Sequence, residues 1–328
     1  MKKSVLHQIL VVTAGAALIS SASCSGKPAA TSSMPEPADS PALQNASSGA
    51  IDRLYVWSPE LGDTVTVDVW LPDGYEADNS RRYPVIYMHD GQNLFDASTT
   101  WNHQSWDMDS VTGALIAQGK IEAPVIVGIH SVSESRIGDL MPEDAINYLD
   151  DESDTLKTNF TKRSSRPIRG NAYARFIATT LKQGIDTLYR TLPDRAHTSV
   201  MGSSMGGLMS LYAMCEYPDV FGNAACLSTH WVGVTDGNPA FAEAMEKYTA
   251  AKLPDPASHR LYLDRGTTTI DSLYGPAQSR MIALVRSRGY EMGATLDTLT
   301  ADGAPHEERA WNARVHRPLT FLLGTSPR

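Results

Sequence analysis

Cysteine is scarce, with three in 328 residues. No C-x-x-C or H-E-x-x-H spacing occurs, so neither a structural nor a catalytic zinc site is coded. Apart from Cys24 only Cys215 and Cys226 are present. Both lie among apolar residues and read as buried free thiols, with a disulfide as the alternative. Basic residues are also few, at 28 Lys and Arg against 37 Asp and Glu, a formal charge of −9. That balance argues against nucleic acid or an anionic membrane surface as the main partner. The N-terminal apolar stretch, Ile9 to Ile19, is too short to span a bilayer. No internal repeat is visible.

What the N-terminus does contain reads as an export signal over residues 1–23. Lys2 and Lys3 form a positive start, Ile9 to Ile19 an apolar core, and Ser20 to Ser23 a run of small residues. Cys24 follows directly, as in a bacterial lipoprotein signal with Cys24 as the lipidated residue; conventional cleavage is the alternative. Residues 24–50 are rich in Ser, Ala and Pro and read as a flexible tether. The expected location is therefore the periplasm, free or anchored through Cys24, with residues 51–328 forming one domain. Oligomeric state is not legible.

Asp63 to Leu71 alternates polar and apolar residues, the period of a half-buried strand. Tyr83 to Met88 and Pro124 to Ile129 are apolar throughout, as strands buried on both faces of a parallel sheet are. Thr198 to Met201, Ala224 to Ser228 and Arg260 to Asp264 read as further strands. Helical patterns fall at Tyr173 to Leu188, Gly207 to Met214, Pro276 to Arg288 and Val315 to Leu323. Such alternation predicts an α/β fold with a mostly parallel central sheet and helices on both faces. Ser131 to Gly170 interrupts it as a polar excursion expected to cover a site, with an acidic group at Asp150, Asp151, Glu152 and Asp154.

Gly202-Ser203-Ser204-Met205-Gly206 is a G-x-S-x-G pentapeptide preceded by an apolar strand and followed by a helix pattern. In a hydrolase this forms a sharp turn that lifts the central serine hydroxyl, here Ser204, above the sheet. A serine nucleophile needs a base, a carboxylate to orient that base, and donors for an oxyanion. Downstream of Ser204 the histidines are His230, His259, His306 and His316. His306 stands on a turn-rich loop before the last helix and is the expected base. His259 precedes a strand, and His316 sits beside Arg314 and Arg317 in the last helix pattern. The acid is expected just past the Arg260 to Asp264 strand, at Asp271 in preference to Asp264. Met205, at a helix start, supplies one oxyanion N–H. The loop His89-Asp90-Gly91-Gln92-Asn93 supplies the other at Gln92, with Asp90 as a carboxylate that ties this loop together. Trp101, Trp106, His230 and Trp231 are candidate pocket residues able to stack on a sugar or an aromatic acyl group, with core packing as the alternative for the tryptophans.

Tyr83 to Asp96, together with Gly202 to Gly207, resembles the putative-esterase family of α/β-hydrolases, over about residues 60–325. That family includes feruloyl and acetyl-xylan esterases, S-formylglutathione hydrolases, siderophore trilactone esterases and mycolyltransferases. The resemblance implies an α/β-hydrolase fold and Ser204, Asp271 and His306 as the triad, with Gln92 and Met205 as the oxyanion hole. No metal or organic cofactor is called for. The expected substrate is a small-molecule or oligosaccharide ester, foremost a feruloyl or acetyl ester on carbohydrate. A siderophore trilactone esterase is the alternative activity. A glycan-binding lipoprotein with a vestigial hydrolase fold is the alternative of another class.

Overall fold

The computed structural model describes residues 46–149, 166–233 and 239–325. Residues 1–23, Cys24, most of the expected tether and the Asp150 to Asp154 group lie outside the described residues. The strands are β1 (Ala50–Ser58), β2 (Asp63–Leu71), β3 (Val85–His89), β4 (Val125–Ile129), β5 (Thr198–Ser203), β6 (Asn223–Leu227), β7 (Arg260–Arg265) and β8 (Leu296–Thr300). They form a sheet in the order β1-β2-β4-β3-β5-β6-β7-β8. β1 and β2 run antiparallel, and β4 through β8 are parallel.

Alternation of side chains across each strand explains why the central strands are apolar throughout. Val85, Tyr87, Val125, Val127 and Val200 face one layer of helices, and Ile86, Met88, Ile126 and Met201 face the other. All nine are fully buried or nearly so, and burying each of the valines, isoleucines and methionines stabilises the fold by roughly 1.5–3 kcal/mol. The first layer holds α3 (Gly170–Phe176), α4 (Lys182–Leu188), α5 (Met205–Glu216), α6 (Ala240–Lys252) and α7 (Gly275–Ser287). A π-helical turn, Ile177–Leu181, joins α3 to α4. The second layer holds α1 (Met108–Ala117) and α8 (Glu308–Leu323). The short α2 (Arg136–Asp139) lies in the excursion after β4. Cys215 and Cys226 are buried and unpaired with each other. Among the described residues no helix is long and apolar enough to cross a membrane.

Two sequence expectations shift. The packed chain begins before residue 51: Ser47 N donates to Asp109 Oδ2 at 2.5 Å, and Trp70 Nε1 donates to Ser48 O at 2.7 Å. Residues 46–50, assigned to the tether, are thus docked onto the domain, with Ala50 already in β1. The last helix starts at Glu308, seven residues before Val315. That extension carries Arg314 into the interior.

Candidate active site

The G-x-S-x-G segment joins β5 to α5. Ser204 caps the helix at φ 58° and ψ −121°, a backbone region costing a non-glycine residue about 1–3 kcal/mol. Hydrogen bonds hold the strained turn: Ser204 N donates to Leu227 O at 3.0 Å, and His230 N donates to Ser204 O at 3.2 Å. Gly202 is required here because a Cβ would lie 2.9–3.0 Å from the Gly206 backbone. Met205 is the first residue of α5, where unpaired N–H groups and the helix dipole favour negative charge.

Gln92 stands past the carboxyl end of β3, the strand beside β5. Its loop packs closely on β4, since a Cβ at Gly91 would meet the Gly128 backbone at 2.4–2.5 Å. The Gln92 side chain donates to Ser131 Oγ at 2.9 Å and accepts from Ser131 N at 3.0 Å. Asp90, at φ 57°, accepts from Ser131 Oγ at 2.6 Å and from Arg136 Nε and Nη2 at 2.7 and 2.8 Å. Burial pushes its carboxyl upward, but Arg136 and Ser131 hold it below the ordinary value. Asp90 is the tie of this loop, and Ser131 and Arg136 come from the excursion expected to cover the site.

His306 Nδ1 and Asp271 Oδ1 lie 2.5 Å apart. Asp271 is fully buried, and its other oxygen accepts from Ser228 Oγ and from Gly266 N, each at 2.5 Å. Burial favours the protonated carboxyl, yet these bonds and His306 outweigh it and lower the pKa. An ionised Asp271 accepts only, so Nδ1 of His306 carries the proton and Nε2 is free to act as a base. The residues between Gly266 and Asp271 lead into a 3-10 turn, Thr269–Leu273, which brings the carboxylate back onto Gly266. His306 sits edge-on to Trp311, ring centroids 5.0 Å apart.

Asp264 does not reach His306. It is fully buried and binds Arg314 Nε and Nη2 at 3.0 and 3.1 Å, Ser228 N at 3.0 Å and Tyr262 OH at 3.0 Å. Arg314 Nη2 also donates to Ser228 Oγ at 2.7 Å, as does Trp311 Nε1 at 3.0 Å. Ser228, in the left-handed region at φ 41°, therefore links the Asp264–Arg314 pair to Asp271. Sequence reasoning missed both Ser228 and Arg314. A signal for Arg314 existed: Trp311, Arg314, Val315, Pro318, Leu319 and Leu322 share the buried face of α8, and an arginine on an apolar stripe is buried only with a partner.

Ser204, His306 and Gln92 line one cleft of about 730 Å³, with Trp101 and Trp106. Among the described residues no aliphatic side chain lines it. Trp101 is 84% exposed, whereas Trp106 is buried and stacks on Trp311 with centroids 5.4 Å apart. Two expected pocket residues fall outside the lining. Trp231 is 1% exposed and donates to Gln278 Oε1 at 2.7 Å, a core residue because its indole points between helices rather than to the cleft. His230 faces Tyr274, whose hydroxyl lies 2.7 Å from Nδ1. His259 is buried, with both ring nitrogens on backbone carbonyls, and His316 is exposed. Among the described residues no cluster of His, Cys, Asp and Glu could hold a metal ion.

The family described as Putative esterase matches residues 58–280. An endo-1,4-beta-xylanase/feruloyl esterase of Xylanibacter ruminicola is 22% identical over 284 residues, 84% of this chain and 31% of the relative. This chain thus spans about a third of the relative's length. A solved ferulic acid esterase superposes with a TM-score of 0.59 at 16% identity, covering 84% of this chain and 98% of that one. The enterobactin esterase FES from Shigella flexneri, solved with enterobactin, gives 0.63 at 15%, covering 84% and 60%. At such identities these structures speak for the fold, an α/β-hydrolase sheet with helices on both faces.

Proposed function

The chain belongs to the putative-esterase family of α/β-hydrolases, carboxylic ester hydrolases, and on that premise we propose that it is an exported serine esterase working through an acyl-enzyme. The observation that carries the reading is the hydrogen bond between the buried Asp271 and His306, which lines the cleft of Ser204. His306 Nε2 takes the Ser204 proton as Oγ attacks the ester carbonyl. The oxyanion rests on the Gln92 and Met205 amides. His306 protonates the departing alcohol and then activates water for deacylation, while Asp271 holds the ring tautomer. Export rests on Lys2, Lys3 and the Ile9 to Ile19 core, and anchoring on lipidation of Cys24.

The substrate class we favour is a feruloyl or acetyl ester on carbohydrate. The xylanase/feruloyl esterase relative and the ferulic acid esterase structure support it, as does a cleft that no aliphatic side chain lines among the described residues. The enterobactin esterase structure keeps a siderophore trilactone as the second reading. A vestigial glycan-binding fold is disfavoured, because a binding module has no use for an imidazole held by a buried carboxylate in the same cleft as a strained serine. Ser204→Ala should lower kcat/KM on p-nitrophenyl acetate by about 10⁵–10⁶-fold; unchanged hydrolysis would sink the triad. Acetylated xylan, methyl ferulate and a catecholate trilactone then separate the substrate classes by relative kcat/KM.

A further inference from the structure

Resting on the serine-esterase reading, we propose that the cleft wall formed by Trp101, Asn102, Asn93 and Glu308 is a subsite for a neutral, polyhydroxylated alcohol, a sugar residue, and that it excludes anionic leaving groups. Glu308 opens α8 two residues past His306 and is 6% exposed. Its carboxylate accepts from Asn102 Nδ2 at 2.6 Å and from Asn93 Nδ2 at 3.4 Å. Among the described residues Asn93 Oδ1 is buried with no hydrogen-bond partner. A buried acceptor without a donor is costly unless a ligand supplies one.

The location assigns this wall to the alcohol rather than the acyl group. The leaving oxygen must come within hydrogen-bond reach of His306 to be protonated, and Glu308, two residues along the chain, and Asn102 line the same cleft as His306. The chemistry points to hydroxyl groups. Carboxylate and amide oxygens accept from O–H donors, and the Asn102 amide can donate as well. The exposed Trp101 offers a flat apolar face for the C–H side of a pyranose, while the other indoles of the cleft, Trp106 and Trp311, are buried. Among the described residues no aliphatic side chain lines the cleft to pack against a fatty alcohol. An anionic alcohol would meet the Glu308 carboxylate at short range in a partly desolvated site, where like-charge repulsion is weakly screened.

Three measurements decide it. In the Ser204→Ala protein, calorimetry with unesterified xylotriose should show binding, weakened at least tenfold by adding Trp101→Ala. Trp101 is so exposed that its loss leaves folding intact, and this arm stands even if no ester is turned over. In the active protein, Asn102→Ala should lower kcat/KM on acetylated xylo-oligosaccharides at least tenfold more than on p-nitrophenyl acetate, chiefly through KM. Glu308→Gln should narrow the preference for phenyl acetate over acetylsalicylate, whose leaving phenol carries a carboxylate, at least fivefold. No xylotriose binding, or equal losses on both acetates with an unchanged preference ratio, overturns the subsite. A wild type no faster than Ser204→Ala on p-nitrophenyl acetate overturns the esterase reading instead.

Discussion

Asp90, just past β3, and Asp264, near the end of β7, are each bound by an arginine through two N–H···O bonds, yet they bear opposite relations to the cleft. Asp90 and Arg136 line it, and Arg136 keeps 30% of its side chain exposed. Asp264 and Arg314 lie behind it, with side chains 0% and 5% exposed. At Asp90, Arg136 and Ser131 outweigh burial and lower the carboxyl's pKa, whereas at Asp264 burial outweighs Arg314 and raises it. One pair fixes the loop after β3 at the solvent's edge. The other is an internal strut linked to Asp271 through Ser228 Oγ.

The sharpest way to break that contrast is at the carboxylates on the β7 side. Asp271→Asn should lower kcat on p-nitrophenyl acetate by about 10³–10⁴-fold with the fold intact, because the amide reverses the donor and acceptor at His306 Nδ1. Asp264→Asn should leave most of the rate in whatever protein folds and act chiefly on stability. Equal kcat losses in the two variants, at equal melting temperature, would make Asp264 part of the reaction and end its reading as a strut.

Stability separates the two arginines next. Removing one member of a buried pair strands the other charge and costs about 3–5 kcal/mol, so Arg314→Met should lower the urea midpoint strongly. Arg136→Met, at a partly exposed pair, should cost about 1–2 kcal/mol, between buried and surface values. Similar shifts for both would mean that depth does not distinguish them.

Much of this architecture was legible because period and spacing are local. The apolar runs at β3 and β4, the pentapeptide at Ser204 and the loop at His306 all appear in the expected positions. β1 did not appear, since its residues are half-buried and show no clean alternation; pairing along the whole of β2 defines it. The tryptophans were illegible for a related reason. Nothing local distinguishes Trp101, exposed in the cleft, from Trp231, sealed against Gln278. Glu308 and Asn102 are 206 residues apart and meet only because α8 returns to the loop after β3.

The smallest effect tests the link itself. Ser228 Oγ donates to Asp271 Oδ2 and accepts from Arg314 and Trp311, so Ser228→Ala removes one donor from Asp271 and leaves the strut paired through Asp264. A hydrogen bond to a charged group contributes about 1.5–3 kcal/mol, and Gly266 N still donates to the same oxygen. The loss should therefore fall near the low end, about tenfold in kcat, with KM unchanged and much less destabilisation than Arg314→Met. Ser228→Thr, which keeps the hydroxyl, should recover most of the rate if its methyl fits; Ser228→Cys, a weaker donor, should fall between Ala and wild type. A graded series in kcat at constant KM marks Ser228 as positioning Asp271 through its O–H. A flat series would leave Gly266 and His306 as the sole determinants of that carboxylate's orientation, with the strut serving the fold alone.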